Sequence, residues 1–206
     1  MLLEIPKLVK ETYKAPPPEK GWPEVGEPNI TLLSDTIIIT FESEHEQALF
    51  FMCEVIDRIL RHLLRQGIFA CGAIGWGEYT QNGPLFIGPA IDDVAMWYEA
   101  ANWIGVITTP KTNYLIDRFN SVAFPVNGNK VDLFIKYEVP MKSGKPIRLN
   151  VFNWPGWMQN SYKKEEGNVK QSIIGIFSLQ GFIDASVHEK YEQTLNFIDH
   201  SLKTSM

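Results

Sequence analysis

Three aspartates stand at positions where carboxylates could hold a divalent metal ion. Asp35 lies in "LSDTIIITF" (33–41), where the pair Ser34-Asp35 separates two runs of β-forming residues. Asp92 and Asp93 lie in "GPAIDDVAMWYEAANW" (88–103). Carboxylate oxygens are the ligands that Mg²⁺ and Mn²⁺ prefer in proteins. These residues are therefore the candidates for a magnesium or manganese site.

Each aspartate also has a plain structural interpretation. Ser-Asp matches poorly the Asn-Gly or Asp-Gly pairs that two-residue hairpin turns prefer, so Asp35 is either a turn residue or a metal ligand. Carboxylates in the first turn of a helix are favoured by the helix dipole, which would explain Asp92 and Asp93 without a metal. The other interpretation joins one of them to Asp35 in a shared site.

The elements that would position these side chains follow from the apolar periodicity. A helix is predicted at 43–66, with Ser43 and Glu46 as a capping box, Gly67 at its end, and its charged residues, among them Asp57, facing water. A second helix opens at Pro89. Strands are predicted at 30–33, 36–41, 68–76, 85–87, 104–109, 130–140 and 146–154. A short helix is predicted at 112–119, an exposed loop at 161–171 and a closing helix at 185–202.

This order predicts an α+β sandwich, with a mostly antiparallel sheet, helices packed on one face, and a C-terminal β-hairpin and helix. The closing helix is predicted to carry Val187, Tyr191, Leu195, Ile198 and Leu202 on one face. The proline-rich residues 1–28 are predicted to form an extended arm, because prolines fix φ and remove N–H donors. The folded domain is expected to span 29–206.

Composition restricts the function classes. The chain has 206 residues, a formal net charge of -5 and a pI near 5.4, which argues against binding a nucleic acid polymer. No apolar run reaches the roughly 18 residues of a membrane span. Cys53 and Cys71 are the only cysteines, so the chain is expected to be cytoplasmic with buried thiols.

Three segments, taken in their order along the chain, resemble motifs of a known protein family: "LSDTIIITF", "CGAIGWG" (71–77) and "FIGPAIDDVAMWYEAA" (86–101). Together they resemble the catalytic domain of the class III nucleotidyl cyclases, closest to small stand-alone bacterial members that include the pyrimidine cyclases. The matching positions are Gly72 to Ile74, Gly77, Gly88 to Ala90 and Glu99. The resemblance implies a ferredoxin-like fold, with 109–206 as a family-type C-terminal extension, and a homodimer.

The resemblance also implies a chemistry: the ribose 3′-hydroxyl attacks the α-phosphate and pyrophosphate leaves, while metal ions and cationic side chains stabilise the developing charge. Asp35 matches one of the two metal-binding aspartates. Thr31 and Leu85 fall at the base-reading positions, and Gly88 lies in the motif that opens the nucleotide-site helix. Asp92 falls at the family's asparagine and Met96 at its transition-state arginine.

Several residue types that this catalysis requires are missing. Residues 1–34 contain no aspartate to serve as the second metal ligand, and residues 78–109 contain no lysine or arginine. The favoured hypothesis is a degenerate cyclase-like protein that acts by binding a nucleotide or a protein, or by regulation. We expect the side chains of Leu85 and Met96 to fill part of the space beside Asp35.

Two alternatives stay open. One is an active metal-dependent nucleotidyl cyclase, in which Asp35 acts with Asp92 or Asp93 in a rearranged site. In the other, the reading frame continues upstream and supplies the missing strand.

Overall fold

Two units make up the part of the chain that the structure, a computed structural model, describes: residues 2–13, 25–118, 123–126, 129–162 and 168–204. The first unit is Met1–Leu63 and the second is Leu64–Met206. The boundary divides the predicted domain of residues 29–206. Most of the predicted proline-rich arm, residues 14–24, lies outside the described residues.

The first unit contains a helix that the sequence analysis did not predict. After a 3₁₀ turn at Leu2–Glu4, helix α1 runs over Ile5–Thr12 with Pro6 in its first turn. The side chains of Ile5, Val9 and Tyr13 are buried. The expectation that the folded part begins near Asn29 is therefore wrong, because α1 already contributes to the core.

The predicted hairpin is confirmed. Strands β1 (Asn29–Leu33) and β2 (Thr36–Thr40) pair antiparallel from Asn29 opposite Thr40 to Leu33 opposite Thr36. The two residues between them make the turn, and Ser34 has a φ of 56°. A positive φ at the first turn position matches the right-handed twist of the flanking strands.

The predicted long helix is present but begins later. Helix α2 runs over Ala48–Arg65, and the Ser43 hydroxyl accepts a hydrogen bond from the His45 amide instead of capping a longer helix. Gly67 follows with a φ of 71°, as predicted. Cys53 is buried as expected, whereas Cys71 is exposed, which corrects the expectation for that thiol.

The prediction that Asp57 faces water is wrong. Its side chain is buried, and the Arg61 Nε donates a hydrogen bond to its Oδ2 at 2.6 Å. Burial raises the pKa of Asp57 above its ordinary value, although the Arg61 guanidinium opposes that rise. The ion pair lets a charged residue occupy the apolar side of the helix.

A four-stranded sheet organises the second unit. Its order is β3 (Gly72–Ile74), β6 (Val106–Thr108), β10 (Ile147–Phe152) and β9 (Phe134–Val139). Strands β3 and β6 are parallel, and the other two pairings are antiparallel. Two hairpins accompany the sheet: β4 (Thr80–Asn82) with β5 (Leu85–Ile87), and β7 (Ala123–Val126) with β8 (Asn129–Asp132).

The described residues of this unit also form five helices. They are α3 (Pro89–Tyr98), α4 (Pro110–Arg118), α5 (Trp154–Tyr162), α6 (Val169–Ser178) and α7 (Ala185–Thr204). The α+β class predicted from the sequence is confirmed. Helices α5 and α6 are additions, and the end of α5 and the start of α6 lie in residues 161–171, which were predicted to form a loop. Residues 163–167 of that loop lie outside the described residues.

Helices lie on both faces of the sheet, where one covered face was expected. Lys136 and Tyr137 point to opposite faces because they are neighbours on one strand. Lys136 reaches Asn113 on α4, whereas Tyr137 packs against Phe197 on α7 with ring centroids 5.0 Å apart. Helices α4 and α7 therefore lie on opposite sides of β9.

Helix α7 supplies a large part of the core of this unit. Its buried side chains are Tyr191, Thr194, Phe197, Ile198 and Ser201. Of the residues predicted to share one face, Tyr191 and Ile198 are buried, whereas Val187, Leu195 and Leu202 are half-buried. None of the helices in the described ranges is both long and apolar enough to cross a bilayer.

Candidate functional site

Asp35 lies in the first unit at the tip of the β1–β2 hairpin. It is the second of the two turn residues and is exposed to solvent. Thr31, the first predicted base-reading residue, is half-buried on β1 opposite Ile38. The hairpin accounts for the position of Asp35, so its role as a metal ligand rests on the sequence resemblance alone.

Asp92 and Asp93 lie in the second unit, near the start of α3. Pro89 begins this helix and Gly88 precedes it, and the Asp92 amide donates to the Gly88 carbonyl at 3.1 Å. Asp92 is exposed and Asp93 is half-buried. The N-cap residue Gly88 has no side chain that could accept hydrogen bonds from the unpaired amides at the helix start. A carboxylate in the first turn is therefore favoured, because it lies near these amides.

Across the described ranges, no three histidine, cysteine, aspartate or glutamate side chains converge as a metal site would require.

Gly88 is where the start of α3 meets the preceding hairpin. A Cβ placed on Gly88 would lie 2.8 Å from the Glu78 carbonyl oxygen and 2.8 Å from the Tyr79 Cα. The same Glu78 oxygen accepts a hydrogen bond from the Ala90 amide at 3.3 Å. Gly88 is therefore a backbone requirement, and it fixes how α3 enters the unit.

Leu85 and Met96 are exposed side chains of the second unit, whereas Asp35 belongs to the first, so the expectation that they fill space beside Asp35 stays a prediction. Leu85 is 55% exposed on β5, and Met96 is 74% exposed on α3. Ile87, two residues after Leu85 and on the same face of the hairpin, is 60% exposed. We call the exposed side chains of these two adjoining elements the β5–α3 surface; its members are Leu85, Ile87, Asp92, Met96 and Glu99.

The inner side of α3 explains why Met96 points outward. A Cβ on Gly75 would lie 2.5 Å from Val94 Cγ2 and 3.2 Å from the Ala90 carbonyl oxygen, so this side of the helix packs on the segment after β3. Met96 follows Val94 by two residues, which is about 200° around a helix. Its side chain therefore projects away from the packed side.

A polar network that the sequence analysis missed lies between α4 and the sheet. The Asn150 Nδ2 donates to the Asn113 Oδ1 at 3.0 Å and to the Asp117 Oδ1 at 2.9 Å. Lys136 Nζ donates to the Asp117 Oδ2 at 2.7 Å and to the Asn113 Oδ1 at 3.1 Å. Both asparagines are buried, so their hydrogen bonds offset the cost of burying two amides. The network orients α4 on the sheet.

This network predicts a pH-dependent contribution to stability. Partial burial alone would raise the pKa of Asp117, but hydrogen bonds from Lys136 and Asn150 outweigh it and lower that pKa below its ordinary value. The carboxylate therefore stabilises the fold above the pKa of the unfolded chain, and this contribution is lost as the pH falls through the lower folded-state pKa. Urea unfolding of wild type and Asp117→Asn should show a stability difference that shrinks from about pH 6 to about pH 2.

Lys136→Met provides the control for this experiment, since it removes one donor and should weaken the same pH dependence. A difference between wild type and Asp117→Asn that is constant with pH would contradict the assignment.

The segment "NWPGW" (153–157) packs in the core. Trp154 and Trp157 are buried, and Trp157 packs edge-on against Phe152 with ring centroids 5.8 Å apart. Asn153 is fully buried and its Oδ1 accepts from the Gly156 amide, which caps α5. These residues hold the fold together and are not available to stack a base.

No protein family model, no curated protein and no solved structure matches this chain.

Proposed function

We propose that this protein is a catalytically degenerate relative of the class III nucleotidyl cyclases that acts by binding a protein partner. One observation carries the proposal: Leu85 and Met96 are apolar and exposed at positions where the resemblance implies a base-reading polar residue and a transition-state arginine. The loss of such an arginine typically reduces phosphoryl transfer by ~10³–10⁵. Exposed apolar side chains suit contact with a protein better than contact with a triphosphate.

The charges around Met96 support the same proposal. Asp92 is exposed on α3, four residues before Met96, and Glu99 is exposed at the C-cap of this helix, three residues after Met96. Residues 78–109 provide no lysine or arginine to balance them. A nucleoside triphosphate would therefore meet negative charge at this helix, which opposes its binding.

Incubation of the full chain with each nucleoside triphosphate and MnCl₂, followed by chromatography, tests the proposal. We expect no cyclic product under conditions in which an active nucleotidyl cyclase, included as a control, converts its substrate. Calorimetry with MnCl₂ should likewise give no submillimolar binding that depends on Asp35.

The alternative function predicts the opposite result. An active metal-dependent cyclase would form a cyclic nucleotide, and turnover would disappear in Asp35→Ala and in either Asp92→Asn or Asp93→Asn. Such a result would overturn the proposed binding function.

A further inference from the structure

The β5–α3 surface lacks the cover that an apolar helix normally has. None of the ten residues of α3 is buried, although the helix includes Ile91, Val94, Met96 and Trp97. A helix of this composition in a folded domain usually buries one stripe of side chains. Together with Leu85 and Ile87, the outward side of α3 leaves large apolar groups in water. Exposed apolar surface of this kind is typical of a site of interaction.

Acidic groups are interspersed with these apolar groups. Asp92, Met96 and Glu99 lie on one side of α3 because their spacings are four and three residues. Lys111 supplies a cation near the start of this helix. A Cβ placed on Gly77 would lie 3.1 Å from the Lys111 Nζ and 3.5 Å from the Ala90 Cβ, so the ammonium group lies near Ala90. Ala90 belongs to the packed side of α3. The outward side therefore combines apolar contact area with carboxylates.

This combination selects among possible occupants. A second copy that used the same surface in a two-fold contact would bring Asp92 and Glu99 of both copies together, and like charges across an interface are costly. An anionic lipid surface would meet the same repulsion. A protein segment with apolar anchors and lysine or arginine between them satisfies both features.

We propose that the β5–α3 surface binds a basic amphipathic segment of another protein. This inference rests on the proposed binding function and names the chemistry of its partner. In such a complex, apolar side chains of the segment cover Leu85, Ile87 and Met96, and its cations pair with Asp92 and Glu99. Apolar contact supplies most of the affinity, whereas the charge pairs select basic partners over acidic ones.

A pair of synthetic probes tests the proposal. The first is a fluorescein-labelled amphipathic peptide of leucine and lysine, and the second has glutamate in place of every lysine. Fluorescence anisotropy with the full chain should show binding of the leucine–lysine peptide at least about tenfold tighter than that of the leucine–glutamate peptide, and weaker at higher salt.

Variants of the chain locate the binding. The double variant Leu85→Ser and Met96→Ser should weaken binding of the leucine–lysine peptide by about tenfold or more, because each loses apolar contact area. Its matched control is Leu179→Ser with Phe182→Ser, two apolar residues between α6 and α7 that are 84% and 99% exposed. The control should bind like wild type. All four positions are exposed, so thermal unfolding should be unchanged.

A second pair of variants isolates the charges. Asp92→Asn with Glu99→Gln should weaken binding by about threefold to tenfold and reduce its dependence on salt. Glu189→Gln with Glu192→Gln, which neutralises two exposed carboxylates on α7, should leave the affinity unchanged.

Three outcomes would overturn the inference: equal affinity for the two peptides, equal loss in the control variants, or sedimentation as a dimer that Met96→Ser converts to a monomer. The last result would identify a second copy as the occupant. Each is distinct from failure of the proposed function, which would appear as cyclic nucleotide in the turnover assay.

Discussion

Gly88→Ala is expected to destabilise the protein by about 3 kcal/mol or more, because the substitution combines a strained backbone with a steric clash. Gly88 has a φ of +143°, which L-residues rarely adopt. The new methyl group would also lie 2.8 Å from two backbone atoms, the Glu78 oxygen and the Tyr79 Cα. Since both neighbours are main-chain atoms, relief requires moving the start of α3 away from the preceding segment. Urea unfolding measures the loss.

Gly83→Ala separates the two contributions. Gly83 also has a positive φ, of +60°, but nothing lies within 4 Å of a Cβ placed on it. Its replacement should cost only the conformational part, about 1 kcal/mol. If Gly88→Ala destabilises the protein no more than Gly83→Ala does, the close approach of α3 to Glu78 is not rigid.

Asn153→Ala should cost about 2–5 kcal/mol, because several hydrogen bonds are lost at a fully buried site. The Asn153 Nδ2 donates to the Asp132 carbonyl at 3.0 Å, and its Oδ1 accepts from the Gly156 amide and from the Ser201 hydroxyl. One side chain therefore joins the end of β8, the start of α5 and the buried side of α7. Urea unfolding again measures the effect.

Asn168→Ala is the matched control for this prediction. Asn168 is also an asparagine cap, accepting from the amides of Lys170 and Gln171 at the start of α6, but it is exposed. Its loss should cost about 1 kcal/mol, as is usual for a solvated cap. An equal loss in the free energy of unfolding for the two variants would mean that the contacts of Asn153 with Asp132 and Ser201 add no stability beyond that of the helix cap.

Local signals in the sequence predicted the elements that local physics determines. The β1–β2 hairpin, the end of α2 at Gly67 and the start of α3 at Pro89 follow from strand composition, a left-handed cap and a fixed φ. Each of these features depends on residues a few positions apart. The same reasoning placed Asp92 and Asp93 at the start of α3.

The errors arose where distant residues decide the outcome. Asp57 was assigned to water by its charge, but Arg61 pairs with it and allows burial. The Asn113–Asn150 pair joins α4 to β10 across a long stretch of sequence, and no periodicity in either element predicts it. Helix α5 was missed because residue 154 was assigned to the preceding strand and 161–171 to a loop, while its burial depends on packing against distant elements. The exposure of Leu85 and Met96 likewise depends on which side of β5 and which side of α3 packs against the rest of the unit.

The sheet of the second unit has a consequence for the order in which the protein folds. One of its two inner strands, β6, pairs with β3 and with β10. Helix α3 lies between β3 and β6 in the sequence, and Ile107 of β6 stands opposite Val151 of β10. Each partner strand is separated from β6 by about thirty to forty residues. Pairing these strands therefore costs a large loop-closure entropy. During synthesis, the hairpins can form as soon as they emerge, but β6 has both neighbours only after β10 has left the ribosome. Nascent chains that stop before residue 147 should therefore remain sensitive to protease along 104–118.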